Sequence, residues 1–346
     1  MKGLVYILTI LSLALGQYRT TPDEVNKVAT SAGNWLKLET GTRAIAMSGA
    51  HVAAGRGVSA IPYNPANAAF IKTYNYEAFY SKSWYLAGIS HNVLGYSMKI
   101  SPTDFIGLHL FYLNSGDMEI TTEERPDGTG DMFNVANYCL RANYAKIVTD
   151  RLKIGYNLKF IYEDIHTVYM STIAFDIGSN FDTGIAGTVL GMSVTNFGTE
   201  VQYKGDGLKV AVPDTVSPSG SLEKITSSFL LPLTFNVGVM WDIPFSSIGQ
   251  DDISMVLAFD MSDPMDYDPI GKTGIEISYK NQFFVRMGIH QIPLVGNLLG
   301  MKLHDTARGS FGFGMNWKNY SVDYAYSNFD VLESTHQVGL SYRFKR

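Results

Sequence analysis

The sequence predicts an all-β membrane protein, a closed antiparallel transmembrane β-barrel of about 14 strands carrying a small N-terminal helical plug. Three observations predict it. Apolar and polar residues alternate in stretch after stretch, most cleanly in the last, Gln337-Val338-Gly339-Leu340-Ser341-Tyr342-Arg343-Phe344. A secretion signal stands at the front of the chain. Tight turns and longer links alternate between the stretches, as periplasmic turns and outer loops do in such barrels. A strand of period two can set one row of side chains against lipid and keep the other wet.

Residues 1–16 read as the signal. Met1-Lys2 is a basic start, Gly3 to Leu15 an apolar run, and Ala14 and Gly16 are small residues before Gln17, the features of a cleavable signal peptide. A spanning helix needs about 20 apolar residues, and the run is shorter. Gln17 stands where a lipid-anchored protein would have cysteine.

Composition agrees. Hydrophobic residues make up 46% of the chain and charged residues 17%, against roughly 25% charged in soluble domains. The 21 Tyr and 19 Phe suit aromatic girdles. A net charge of −5, spread along the chain, argues against nucleic acid as a partner. The single cysteine, Cys139, excludes an internal disulfide or a thiolate metal framework.

Residues 17–70 read as an N-terminal periplasmic segment and luminal plug, and residues 71–346 as the barrel. Thr21-Pro22-Asp23-Glu24 has the form of a helix start. The small-residue run Ala44 to Ala54 would let a helix pack closely inside the lumen; a periplasmic cap outside the lumen is the alternative.

From about Tyr74 the strands begin. Between Arg151 and Glu163, one row holds Leu152, Ile154, Tyr156, Leu158, Phe160 and Tyr162; the other holds Arg151, Lys153, Asn157, Lys159 and Glu163. A Lys or Arg facing mid-bilayer lipid costs roughly 2–4 kcal/mol, so the charged row faces the lumen. Phe235, Val237, Val239 and Trp241 oppose Asn236, Gly238 and Asp242 in the same way. Phe311, Phe313, Met315 and Trp317 oppose Ser310, Gly312, Gly314 and Asn316. Tight turns are expected at Ser101-Pro102, Val148-Thr149-Asp150, Lys280-Asn281 and Lys318-Asn319, all on the periplasmic side. Longer outer links are expected near 114–131, 198–228, 262–271 and 291–307. The strand count reaches 14 if Tyr74 to Ser90 is one long strand.

Catalytic signatures are weak. Gly271-Lys272-Thr273 lacks the earlier glycine of a phosphate loop, where Asp266 stands. The histidines show no HExxH spacing, and no Gly-x-Ser-x-Gly is present; His109 and His290 read as lumen lining. Asp260, Asp263, Asp266 and Asp268 crowd one outer loop and could serve calcium or simply be solvated. The lumen-facing charges Arg141, Lys153, Lys159, Glu163, Asp260, Glu276, Arg286 and Arg343 are mixed in sign, unlike a selective ion pore. No metal site, cofactor or catalytic group is expected, and Cys139 reads as a silent luminal thiol.

Two blocks carry a resemblance. Trp35-Leu36-Lys37-Leu38, Gly41-Thr42-Arg43-Ala44-Ile45-Ala46-Met47-Ser48-Gly49-Ala50-His51-Val52-Ala53 and Tyr63-Asn64-Pro65-Ala66 resemble the N-terminal signature of the PorV/PorQ family of outer-membrane proteins, within it the PorV-like members, themselves related to FadL transporters. Gln337, Gly339, Tyr342 and Phe344 resemble the end signal read by the barrel assembly machinery. Two positions depart from the family pattern: Gly55-Arg56-Gly57 replaces an acidic loop, and Ser48 stands where glycine is frequent.

The resemblance implies a FadL-like barrel of the bacterial outer membrane, with Gly41, Arg43, Gly49, Asn64, Pro65 and Ala66 as plug residues. It also implies a non-enzymatic type IX secretion adaptor. Such a protein binds the C-terminal signal domains of cargo leaving the translocon and delivers them to a surface attachment complex with a sortase-like protease. The links at 114–131 and 198–228 are the expected grips. The alternative is a FadL-type transporter of small hydrophobic compounds, which predicts an apolar pocket continuous with an opening in the wall.

Overall fold

The computed structural model describes residues 30–70, 74–211, 221–244, 252–293, 308–329 and 334–345. The proposed signal peptide, the helix start at Thr21 and most of the 291–307 link lie outside these residues.

Fourteen antiparallel strands close into one barrel, each paired with its chain neighbours. They are β1 (Tyr76–Trp84), β2 (Ser90–Lys99), β3 (Asp104–Asn114), β4 (Val135–Ile147), β5 (Leu152–Ile165), β6 (Val168–Asp182) and β7 (Thr188–Gly198). The second half is β8 (Thr234–Pro244), β9 (Ile253–Pro264), β10 (Ile270–Tyr279), β11 (Phe283–Pro293), β12 (Arg308–Trp317), β13 (Tyr320–Asn328) and β14 (Ser334–Phe344). The seam joins β1 to β14, from Tyr76 opposite Phe344 to Trp84 opposite His336. Closure leaves no strand edge unpaired, which hydrocarbon requires because it offers backbone groups no partner.

Side-chain rows follow the predicted division. Tyr156, Leu158 and Phe160 face outward, while Lys153, Asn157, Lys159 and Glu163 are buried in the lumen. The β8 and β12 rows divide the same way. Arg151 and Asp242 are exceptions: both sit at the periplasmic rim and are exposed to solvent. An apolar outer wall on a closed barrel is the architecture of an outer-membrane protein.

All four predicted tight turns join strands at the end where β1 begins and β14 finishes, the periplasmic end. Tyr74 to Ser90 is not one strand. The chain reverses at Leu86–Gly88, where Ala87 and Gly88 take φ of 52° and 76°, so β1 and β2 form a hairpin. A second outer connection is also tight: only His166 and Thr167 separate β5 from β6, with His166 at φ 58°. Alternation alone does not reveal such reversals, because the polar and apolar rows continue through a short turn.

The plug is less helical than its small residues suggest. Its α-helix, α1, covers only Thr42–Ala46, followed by 3-10 turns at Val58–Ala60 and Pro65–Phe70. Five rings at the periplasmic rim pack stacked or tilted against one another across the seam. The Tyr320–Tyr342, Tyr342–Phe344, Phe344–Tyr76 and Tyr76–Tyr96 centroids lie 4.8, 5.3, 4.8 and 6.5 Å apart.

Candidate functional site

The lumen is occupied by residues 30–70, which descend from the outer mouth. Residues 30–40 lie at the outer end. Ala32 N–H donates to the Leu230 carbonyl in an outer loop, and Lys37 pairs with Asp266 at 2.7 Å. Trp35 stacks on Phe111 at 5.7 Å, and its Nε1 donates to Glu163 at 2.9 Å. Below this, α1 packs on β11 to β14, and the Pro65–Phe70 turn packs on β3 to β6.

Buried charges fasten the plug, each with a partner because an unpaired one would be costly. Arg43 grips Glu276 of β10 in a bidentate pair, Nε to Oε2 and Nη2 to Oε1 both at 2.8 Å, and its Nη1 caps the Ala54 carbonyl at 2.7 Å. Arg286 bonds the same Glu276 and also Asp323. Asp260 accepts the His51 and Val52 N–H groups at 2.5 and 2.7 Å. Lys159 and Asp176, 1% and 0% exposed, pair at 2.6 Å, and Asp176 also accepts the Asn196 N–H.

The other fasteners are shape. Asn64 donates to the Val52 and Ser179 carbonyls at 3.0 and 2.9 Å, and its Oδ1 accepts the Ala66 N–H. The Pro65 backbone lies against Gly155 of β5, where an added Cβ would fall 2.3 Å from the Pro65 carbonyl carbon. Gly288 of β11 meets the Met47–Ser48 backbone in the same way, at 2.5 Å. Gly178, Gly191, Gly274 and Gly312 complete a glycine row against the plug. Gly155→Val is expected to destabilise the plugged barrel by about 3 kcal/mol or more, since no rotamer relieves a backbone clash. Differential scanning calorimetry of the detergent-purified protein would measure it.

The remaining motif positions have local reasons. Gly41 and Gly49 take φ of 90° and 81°. Ser48 also takes a positive φ of 52°, and its hydroxyl meets Ser310 of β12 at 2.6 Å. Gln337 and Gly339 point inward, Gly339 against Thr42, while Tyr342 and Phe344 join the aromatic belt. All eight predicted luminal charges line the interior. The four aspartates of the supposed calcium loop diverge: Asp260 is buried under the plug, Asp266 pairs with Lys37, and Asp263 and Asp268 face solvent.

Above the plug, at the outer mouth, lies a chamber of about 380 Å³. Leu36, Leu38, Pro62, Tyr85, Tyr267 and Phe329 give it apolar and aromatic walls. Polar groups line the rest, among them Asn34, Thr195, Asn236 and Ser262, and a charged cluster sets Glu39 2.8 Å from His290 and 3.3 Å from Lys272. Burial works to raise the Glu39 carboxyl, but His290, Lys272 and Arg308 outweigh it and hold the group below the usual carboxylate range. The barrel wall has two register breaks, beside Phe175 in β6 and at Gly271 in β10. Phe160, Ile173, Phe175 and Phe197 line a niche on the lipid side of the first.

No family model matches this sequence, and no curated protein is significantly similar to it. Solved structures do share the architecture. The CymD monoaromatic hydrocarbon channel aligns at TM-score 0.58 and 12% identity, over 89% of this chain and 98% of that one. The Pseudomonas putida toluene transporter TodX aligns at 0.56 and 14%, over 88% and 99%. A Pseudomonas aeruginosa FadL homologue aligns at 0.53 and 12%, over 89% and 99%. The fold is FadL-like. At such identities the likeness is one of fold, and it places this barrel in the bacterial outer membrane. The glycine row, Glu39 and the Ser48–Ser310 contact were not singled out from sequence; a recurrent glycine on the polar row of successive strands was the available signal.

Proposed function

We propose that this barrel passes small hydrophobic compounds across the outer membrane, capturing them in the outer chamber and releasing them when the plug shifts. The chamber carries this reading: its volume lies in the range of about 300–1,000 Å³ of small-molecule sites, and Leu36, Leu38, Tyr85 and Phe329 give it an apolar side. Several luminal charges, which could have argued against transport, are engaged in holding the plug: Glu276 takes Arg43, and Asp260 takes the His51 and Val52 amides. The niche beside the β6–β7 register break marks where a sideways exit toward lipid would open in this reading. The FadL-like fold, shared with proteins described as a toluene transporter and a monoaromatic hydrocarbon channel, supports the same reading.

Titration calorimetry of the detergent-purified protein with toluene and with laurate tests it. Saturable binding of either is expected, weakened at least about tenfold in Leu38→Asp, which sets a carboxylate among apolar walls. Heat signals matching the detergent blank for both compounds would defeat the reading.

A second reading is favoured by how firmly the family-motif residues Arg43, Asn64 and Pro65 tie down the plug. A fixed plug suits a type IX adaptor whose work is done by its outer loops, 115–134 and 199–233. These would hold the C-terminal domain of a cargo protein between the translocon and the sortase-like attachment protein. Affinity capture with such a cargo domain, compared between the intact barrel and one with the 115–134 loop shortened, tests this reading; equal capture counts against it. Neither reading involves catalysis.

A further inference from the structure

We propose that the periplasmic rim between β10 and β14 is a binding site for the phosphate headgroup of an anionic phospholipid in the periplasmic leaflet. A hollow of about 680 Å³ opens there between the 280–282 turn, the 318–319 turn and the end of β14. Lys318, Arg343 and Lys345 line it together with the amides of Asn281, Gln282 and Asn319, and no carboxylate does. That is contrary to the chain as a whole, which has 32 acidic residues against 27 Lys and Arg.

The donors are available. Arg343 gives its Nε to Glu77 at 3.0 Å, so its charge is partly answered. Neither Lys318 nor Lys345 has an ion-pair partner among the described residues. The Lys318 ammonium stands over the Trp317 ring, 5.1 Å from its centroid, a contact of the exposed rim that leaves its N–H groups without a carboxylate partner among the described residues. Positive φ at Lys280, Asn281 and Lys318 makes both turns tight, which fixes where these side chains leave the backbone.

Position selects the source of the anion. The hollow lies just beyond the ring chain Tyr320–Tyr342–Phe344–Tyr76, and Trp317 beside it is 63% exposed. Aromatic belts sit at headgroup level, where lipid phosphates lie and where basic residues attract anionic lipid. On another part of the rim Lys146 pairs with Asp104, and Lys280, in the turn that borders the hollow, pairs with Asp252. Among the described residues, Lys318 and Lys345 converge on one hollow without such a partner.

The test is native mass spectrometry of the full-length protein released from detergent, titrated separately with phosphatidylglycerol, phosphatidylcholine and inorganic phosphate. Phosphatidylglycerol is expected to be retained in preference to phosphatidylcholine. Lys318→Gln/Lys345→Gln should lower its retention by about 25-fold, a factor of about five for each cation removed. Lys146→Gln, on another part of the rim, should leave retention unchanged. Both variants alter exposed residues, and unchanged heat-modifiable migration on gels verifies the barrel. Equal retention of the two lipids, an unchanged double variant, or an equal loss in Lys146→Gln would overturn the proposal. Displacement of phosphatidylglycerol by millimolar inorganic phosphate would overturn the lipid as occupant and leave a free anion in its place.

Discussion

Uptake of small hydrophobic compounds is expected to fall to background when the plug is stapled to the wall through Ser48→Cys and Ser310→Cys. The two hydroxyl oxygens already lie 2.6 Å apart, near the sulfur–sulfur bond of about 2.0 Å. Ser48 belongs to the plug and Ser310 to β12, so the bond closes a very long loop. Cross-links of that kind disfavour the open state by about 4 kcal/mol, which suppresses a displaced plug about 1,000-fold. Cys139 is fully buried and does not compete for either thiol. Liposomes containing the oxidised variant should admit labelled toluene no faster than empty ones, and a reductant should restore the rate. If oxidation leaves uptake unchanged while mass spectrometry shows the cross-link, the plug does not gate passage. An adaptor with a permanently seated plug would keep its cargo capture in both redox states, so the same variant separates the two functional readings.

Arg43→Ala is expected to loosen the plug by about 3 kcal/mol, within the range for removing one partner of a buried ion pair. Arg43 makes three hydrogen bonds, two to Glu276 and one to the Ala54 carbonyl. Its loss leaves Glu276 with Arg286 alone and the carbonyl without its donor. The barrel's own ladder of backbone bonds is untouched, so heat-modifiable migration on gels should survive. Conductance across a planar bilayer should rise and flicker as the plug leaves and returns. Arg43→Lys should restore little of the seal, since an ammonium cannot reproduce the two-pronged contact. A quiet, wild-type trace from Arg43→Ala would show that the glycine-lined fit holds the plug without this ion pair.

The barrel was legible because lipid imposes one rule on every strand. A charge such as Lys159 in the middle of a strand fixes which row faces inward, and the neighbouring turns then fix the order of the ends. Rules of that kind act at a distance of one or two residues. The outer hairpins at Leu86–Gly88 and His166 were not visible, because a tight turn there depends on backbone torsions rather than on a change of composition. The plug was only partly legible. Its small residues announced close packing, but their partners are glycines 90 or more positions away, such as Gly155 against Pro65 and Gly288 against Met47 and Ser48. The aspartates near 260–268 misled for the same reason: proximity in sequence placed Asp260 and Asp266 together, while the plug draws one to His51 and the other to Lys37.

The seam between β1 and β14 has a consequence for biogenesis. The plug precedes β1 in the chain, so it is made before the first and last strands zip together, and the wall can close around Arg43 and Asn64 already in place. Pairing Tyr76 with Phe344 is also the contact of greatest sequence separation in the wall, the kind that forms late. The N-terminal segment is thus a mandrel around which a curling sheet is wound. A chain lacking it would have to close over an empty, glycine-lined bore.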